Sequence, residues 1–172
     1  MENQNSFKNT VWTFGALYAI LGILFMLINP PASDPKSTST VILGFVALFL
    51  FIGLPVVAVW YYRNQGNAVS IGKAVKLGVF IGLLGGFIVG IYAYIYFAYI
   101  NPEAVDKVLE VTRKILEEKG TFSEEMLDTQ MEMTKKFYVP MQLVGNIFSG
   151  LLYGVIGGLL GGLFFKTPKE DY

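Results

Sequence analysis

Four long apolar runs constrain the fold of this chain more than any other feature of its sequence. They cover about residues 11–28, 41–62, 75–100 and 139–165, and none of them contains Asp, Glu or Arg. Even the shortest run rises about 27 Å as an α-helix, close to the thickness of a bilayer's hydrocarbon core. No small-residue cleavage pattern follows the first run, so we expect it to remain as a span. The sequence therefore predicts an all-α, polytopic membrane protein with four transmembrane helices.

The composition agrees with this class and argues against several kinds of activity. Hydrophobic residues make up 53% of the chain and the mean hydropathy is +0.52, which exceeds ordinary soluble usage. The 13 basic and 13 acidic residues cancel, so the overall charge does not favour nucleic acid as a partner. Cysteine and histidine are both absent, which removes thiolate chemistry, the commonest metal ligand and the usual general base. We therefore expect a protein that is not an enzyme and has no catalytic residue, metal or cofactor.

A charged segment of about residues 101–138 separates the third and fourth apolar runs. Its apolar residues recur every three or four positions between charged ones, a pattern typical of amphipathic helices. Gly120 interrupts the segment and is suited to end a helix. We expect an amphipathic, extramembrane helical hairpin here, within a single membrane domain that covers residues 1–172.

Two rows of evenly spaced glycines are the most specific pattern in the chain. They are Gly78, Gly82, Gly86 and Gly90 in the third run, and Gly150, Gly154, Gly158 and Gly162 in the fourth. Spacing of four residues places each row, a glycine zipper, on one face of a helix, where another backbone can approach closely. Either the two rows pack against each other within one chain, or at least one row recruits a second chain, as a homo-oligomer or a membrane-protein partner.

Polar side chains stand at two further places. Gln142, Asn146 and Ser149 lie in the outer half of the fourth run, where they could hydrogen-bond across a helix interface or line a small polar cavity. Lys73 and Lys76 lie at the start of the third run, where they either extend to the membrane surface as anchors or contact lipid headgroups. Membrane lipids are therefore expected partners.

The cations that flank the apolar runs indicate an orientation. With both termini in the cytoplasm, the cytoplasmic segments carry Lys8, Arg63, Lys73, Lys76, Lys166 and Lys169. The short outer loop then holds only Lys36, in agreement with the positive-inside rule. We therefore predict that both termini are cytoplasmic.

Several stretches of the sequence resemble a known family. These are Tyr62-Arg63, residues 70–78 (SIGKAVKLG), Tyr94-Ile95-Tyr96, Asn101-Pro102 and residues 131–137 (MEMTKKF). They look like the bacterial membrane family catalogued as domain of unknown function number 4199, and the resemblance covers nearly the whole chain. Lys73 departs from it, because the family pattern has a neutral polar residue such as glutamine there. The resemblance implies a four-span protein of the bacterial cytoplasmic (inner) membrane with no assigned activity.

Two kinds of function remain open. A non-enzymatic scaffold or accessory subunit would pack through its glycine rows and present the hairpin to a partner. A small channel, transporter or lipid-handling protein would instead use a polar path or a lipid-sized groove between its helices. A tightly packed bundle without cavities would argue against the second function.

Overall fold

The computed structural model describes residues 4–30, 33, 37–120 and 123–167, and within these ranges every regular element is helical. The α-helices are α1 (Gln4–Ile28), α2 (Thr38–Asn64), α3 (Ile71–Ile95), α4 (Glu103–Lys119) and α5 (Glu124–Phe165). A π-helical turn, Tyr96–Ile100, extends α3. Among the described residues, α1, α2, α3 with its π-helical turn, and α5 are long and apolar enough to cross a membrane. The prediction of a helical chain with four such helices is confirmed.

The last helix, α5, differs from the prediction. It runs for 42 residues without a break, so the expected second helix of the hairpin and the fourth span are one helix. A separate hairpin between the third and fourth spans is therefore not confirmed. The composition changes from charged to apolar near residue 138, but this change need not end a helix. The backbone hydrogen bonds of a helix are made within the helix, in water and in lipid alike. Pro140 leaves the carbonyl of Lys136 without its helical donor, and the helix continues through it.

The charged helix α4 lies beside the first turns of α5. The Lys135 ammonium is 2.7 Å from an Asp106 carboxylate oxygen, and the Arg113 guanidinium is 3.0 Å from Asp128. All four side chains are exposed, so solvent screens these ion pairs and they add little stability. Gly120 ends α4 in the left-handed conformation, with φ at 62°, as the sequence predicts.

The central pair of the bundle is α3 and α5, and the other two long helices flank it. Helix α1 packs mainly against α3, whereas α2 packs mainly against α5. The buried core contains Tyr18 of α1, Val59 of α2, and Leu77 and Ile81 of α3. Many other large apolar side chains point outward. In α2, only 17% of the most apolar 18-residue stretch is buried. Outward-facing apolar surface of this extent suits helices surrounded by lipid.

The ends of four helices meet at one end of the bundle. Asn67, between α2 and α3, donates hydrogen bonds from its side-chain amide to Ser6 Oγ (2.9 Å) and to the Tyr62 carbonyl (3.0 Å). Just beyond α5, the backbone N–H of Thr167 donates a 2.9 Å hydrogen bond to the carbonyl of Val69. The described cations near this end, which we call the basic end, are Lys8, Arg63, Lys73, Lys76 and Lys166. Every acidic residue within the described ranges belongs to α4 or to the first turns of α5, so the described residues at the two ends of the bundle differ in charge.

Candidate functional site

The two glycine rows lie face to face between α3 and α5. A methyl group added at Gly158 would lie 2.7 Å from the carbonyl oxygen of Ala74, and one added at Gly82 would overlap the Gly150 carbonyl. All members of both rows are buried. The two helices therefore meet backbone to backbone, at a separation that only glycine permits at these positions.

Pairing within one chain fills both glycine rows. Of the two arrangements that the sequence leaves open, the structure has this one, and no glycine of either row is left exposed to a second chain. Glycines outside the rows extend the same packing, because Gly157 and Gly161 of α5 face α2 while Gly15 and Gly22 of α1 face α3. The α1 pair was not singled out in the sequence. Gly15 and Gly22 are seven residues apart, and this spacing, about two turns, places both on the same face of a helix. That spacing is the sequence feature from which the pair could have been predicted.

The polar residues of α5 come together in one cavity. Gln142, Asn146 and Ser149 line a space of about 230 Å³ to which all four long helices contribute. The Asn146 side-chain amide donates a 2.7 Å hydrogen bond to the Gln142 carbonyl, one turn earlier in its own helix. Of the two roles open from the sequence, the structure favours lining a cavity over hydrogen-bonding across a helix interface.

Aromatic rings also line this cavity. Phe51 of α2 lies between Tyr18 of α1 and Tyr153 of α5, with ring centroids 4.7 Å and 6.2 Å away. Sequence analysis missed these three residues. A helix that is apolar all round gives no signal of which face turns toward its neighbours, and that rotation decides which rings meet.

A larger groove, of about 610 Å³, lies between α1 and α3 at the basic end. Lys73 and Lys76 line it together with Lys8 of α1, which the sequence analysis used only to infer orientation. Trp12 and Phe80 form part of its apolar wall. Three ammonium groups and a large aromatic surface therefore share one groove, which we call the cationic groove.

The first turn of α3 also lines the cationic groove. The Ser70 hydroxyl caps this helix by accepting a 3.2 Å hydrogen bond from the Lys73 backbone N–H. The Lys73 ammonium lies 5.5 Å from the centroid of the Tyr62 ring, a cation–π contact that restrains the side chain at the groove. Because the N-terminus of a helix carries partial positive charge, the backbone of α3 adds to the positive potential of the lysines.

Comparison with known proteins identifies the family of the chain. A family model matches residues 13–167, which takes in α2, α3, α5, most of α1, both glycine rows, the cavity and the α3 side of the cationic groove, but not Lys8 or Trp12. This match confirms the resemblance seen in the sequence. No curated protein and no solved structure matches the chain. The chain therefore belongs to the family described as Protein of unknown function (DUF4199).

Proposed function

We propose that this protein handles lipid in a bacterial cytoplasmic membrane, without catalysing a reaction, by holding the anionic head of a phospholipid in the cationic groove. The observation that carries this proposal is the convergence of Lys8, Lys73 and Lys76 on one groove that also has an apolar wall.

The charges of the groove favour a phosphate-bearing head. Lys8 and Lys76 come from different helices and line the same space, so a phosphate between them would meet ammonium donors from both. A lysine acts on phosphate as a point charge with rotatable donors. Acidic residues in the described part of the chain lie on α4 and the first turns of α5, away from this groove. Among the described residues, the groove is therefore lined by cations and by no acidic side chain.

The apolar wall of the groove suits an acyl chain. The side chains of Trp12 and Phe80 are 64% and 45% exposed, so they offer a broad surface on the lipid side of the lysines. Lysines that merely anchor helix ends need no groove between two helices. The combination of charge and apolar surface therefore favours an amphiphile over a simple anchoring role.

The orientation of the protein supports the same choice of lipid. We propose that the basic end faces the cytoplasm, because loops on that side carry an excess of lysine and arginine. Five of the cations used in the sequence analysis lie near this end, whereas Lys36 and Lys169 lie outside the described residues. A cytoplasmic leaflet containing anionic lipid has a negative surface potential, so the groove would open toward the lipids that it is suited to bind.

The glycine rows weigh against one form of the alternative function, a scaffold that recruits a partner through them. A scaffold that recruits a second chain through glycines needs one row to be accessible, and both rows are buried between α3 and α5. The cationic groove, in contrast, offers the charged and apolar surfaces that an amphiphilic ligand requires. The geometry therefore supports lipid handling better than glycine-mediated recruitment.

A competition between two lipids tests the proposal. The protein is reconstituted in vesicles of equal parts phosphatidylglycerol and phosphatidylcholine, extracted in mild detergent, and its retained lipids are quantified by mass spectrometry. We expect enrichment of phosphatidylglycerol, and a decrease of about tenfold or more in that enrichment for the double variant Lys8→Gln, Lys76→Gln. The estimate follows from the roughly 1.5–3 kcal/mol that a hydrogen bond to a charged group contributes in a binding site, where about 1.4 kcal/mol is a factor of ten.

A matched double variant separates the groove from general surface charge. Arg63→Gln with Lys166→Gln also removes two cations near the basic end, but neither residue lines the groove. We expect this control to retain the wild-type enrichment. Equal losses in the two double variants would show that surface potential alone attracts the lipid, and would refute the groove as its site.

A further inference from the structure

We infer that the cavity lined by Gln142, Asn146 and Ser149 is a second binding site, which takes a neutral, flat head bearing carbonyl oxygens, the chemistry of a quinone ring with an apolar tail. This inference rests on observations separate from those behind the cationic groove. It concerns binding alone and includes no electron transfer.

The wall of the cavity is polar but uncharged. Amide groups come from Gln142, Asn146 and Asn29, and hydroxyl groups from Ser149, Tyr153 and Tyr18, while no residue that lines the cavity carries an ionised side chain. A charged head would therefore find no counter-ion here. A neutral head with hydrogen-bond acceptors matches the donors of the wall.

The polar side chains of the wall can form further hydrogen bonds. Within the described part of the chain, the side chains of Gln142, Ser149 and Tyr153 have no hydrogen-bond partner, and the Asn146 amide bonds only to the carbonyl of its own helix. The unpartnered polar atoms of these residues are not fully buried, and the residues line the cavity. Polar groups at membrane depth need partners, and the space beside them is where a partner would sit.

Aromatic rings supply the flat surface that a ring-shaped head requires. Phe51 has Tyr18 on one side and Tyr153 on the other, and the Phe25 ring centroid lies 6.4 Å from that of Phe51. Rings at such separations favour offset or edge-to-face packing with another ring. The donors of α5 and the rings of α1 and α2 together select a planar head with acceptor atoms at its edge.

The size and position of the cavity fit a head whose tail remains in lipid. Its volume of about 230 Å³ is below the roughly 300 Å³ at which pockets for drug-sized ligands begin. Its lining follows α1 from Tyr18 to Asn29, the residue that follows the end of that helix. The cavity therefore reaches toward the end of α1 that lies opposite the basic end. The cavity and the cationic groove thus lie toward different ends of the bundle.

Binding of decylubiquinone, a quinone with a ten-carbon tail, tests this inference. The full chain in detergent is titrated with it, the dissociation constant is measured by native mass spectrometry, and the rise of Tm with ligand gives an independent measure. Decylbenzene, which keeps the ring and the tail but has no carbonyl oxygen, is the matched probe. We expect decylubiquinone to bind at least tenfold more tightly, since a hydrogen bond made in an apolar site typically changes affinity by about that factor.

Variants of the wall complete the test. We expect Gln142→Met with Asn146→Leu to weaken decylubiquinone about tenfold, and Ser149→Leu, which fills the cavity, to abolish its binding. Val144→Leu is the control, because Val144 lies in the same stretch of α5 but is 58% exposed and does not line the cavity. Equal affinity for the two probes, an unchanged affinity in both wall variants, or no binding of decylubiquinone by the wild-type chain would overturn the inference. The Lys8→Gln, Lys76→Gln variant should bind the quinone normally, so the two sites succeed or fail separately.

Discussion

At the scale of single residues, the contact between α3 and α5 depends on side chains that are absent. Gly82 and Gly150 lie so close that one methyl group at either position meets the backbone of the other helix. A backbone carbonyl cannot move aside as the end of a flexible side chain can. The tolerance of a glycine to substitution is therefore set by what faces it.

Replacing Gly82 with alanine should destabilise the protein by about 1–3 kcal/mol, the usual cost of forcing an extra group into packed surroundings. Gly44 of α2 is the matched control, because a methyl group there meets nothing within 4 Å. Alanine at position 44 should leave stability unchanged or raise it by up to about 1 kcal/mol, since alanine favours the helix over glycine. Tm in detergent measures both variants. Equal effects at the two positions would mean that the close contact between α3 and α5 does not exist in solution.

At the scale of elements, most of the helical structure could be predicted, because apolar runs of this length without Asp, Glu or Arg have few other solutions in a membrane. The end of one element and the start of the next were harder to place. The predicted fourth span starts at about residue 139, which puts Pro140 in its first turn, a position that proline favours. The structure instead places Pro140 inside α5. Proline removes one hydrogen bond and weakens a helix, but its position alone does not say whether the helix stops.

The continuity of α5 predicts a long distance across Pro140. The natural chain has no cysteine, so Gln130→Cys with Leu152→Cys attaches two spin labels at defined places. A continuous helix places these positions about 33 Å apart along its axis. Pulsed electron–electron double resonance measures the distance between the two labels. A distance shorter by more than about one helical turn, roughly 5 Å, would show a break or a sharp kink near Pro140.

At the scale of the whole molecule, the candidate sites divide into a part that could be predicted and a part that could not. Gln142, Asn146 and Ser149 are spaced by four and three residues on one helix, so the sequence alone places them on one face. Lys8 and Lys76, in contrast, are far apart in sequence and share a groove only because α1 packs on α3. Sites built from several helices depend on helix rotation and pairing, which the composition of an apolar run does not encode.

The unequal charge of the two ends of the bundle predicts how the protein is oriented. Single cysteines at Asn64→Cys, near the basic end, and at Gln130→Cys, in the first turns of α5, are exposed positions that report on opposite ends. In intact bacterial cells, a maleimide that cannot cross the membrane should label position 130 at once and position 64 only after permeabilisation, as the positive-inside rule requires. The reverse labelling would invert the orientation and place the cationic groove at the outer leaflet.

The unbroken length of α5 means that a small tilt of the helix moves its end by several ångströms. At about 1.5 Å per residue, α5 is roughly 63 Å long, twice the thickness of a hydrocarbon core. Beyond Tyr138, whose ring packs 5.2 Å from that of Phe97, a stiff arm of about 21 Å projects toward Glu124. A change in tilt of about 10° swings its tip by about 4 Å. Gln142 lies one turn from Tyr138 in the same helix, with Pro140 between them. We therefore expect a tilt of this arm to change the shape of the interior cavity that Gln142 lines, and a bend at Pro140 would absorb that movement.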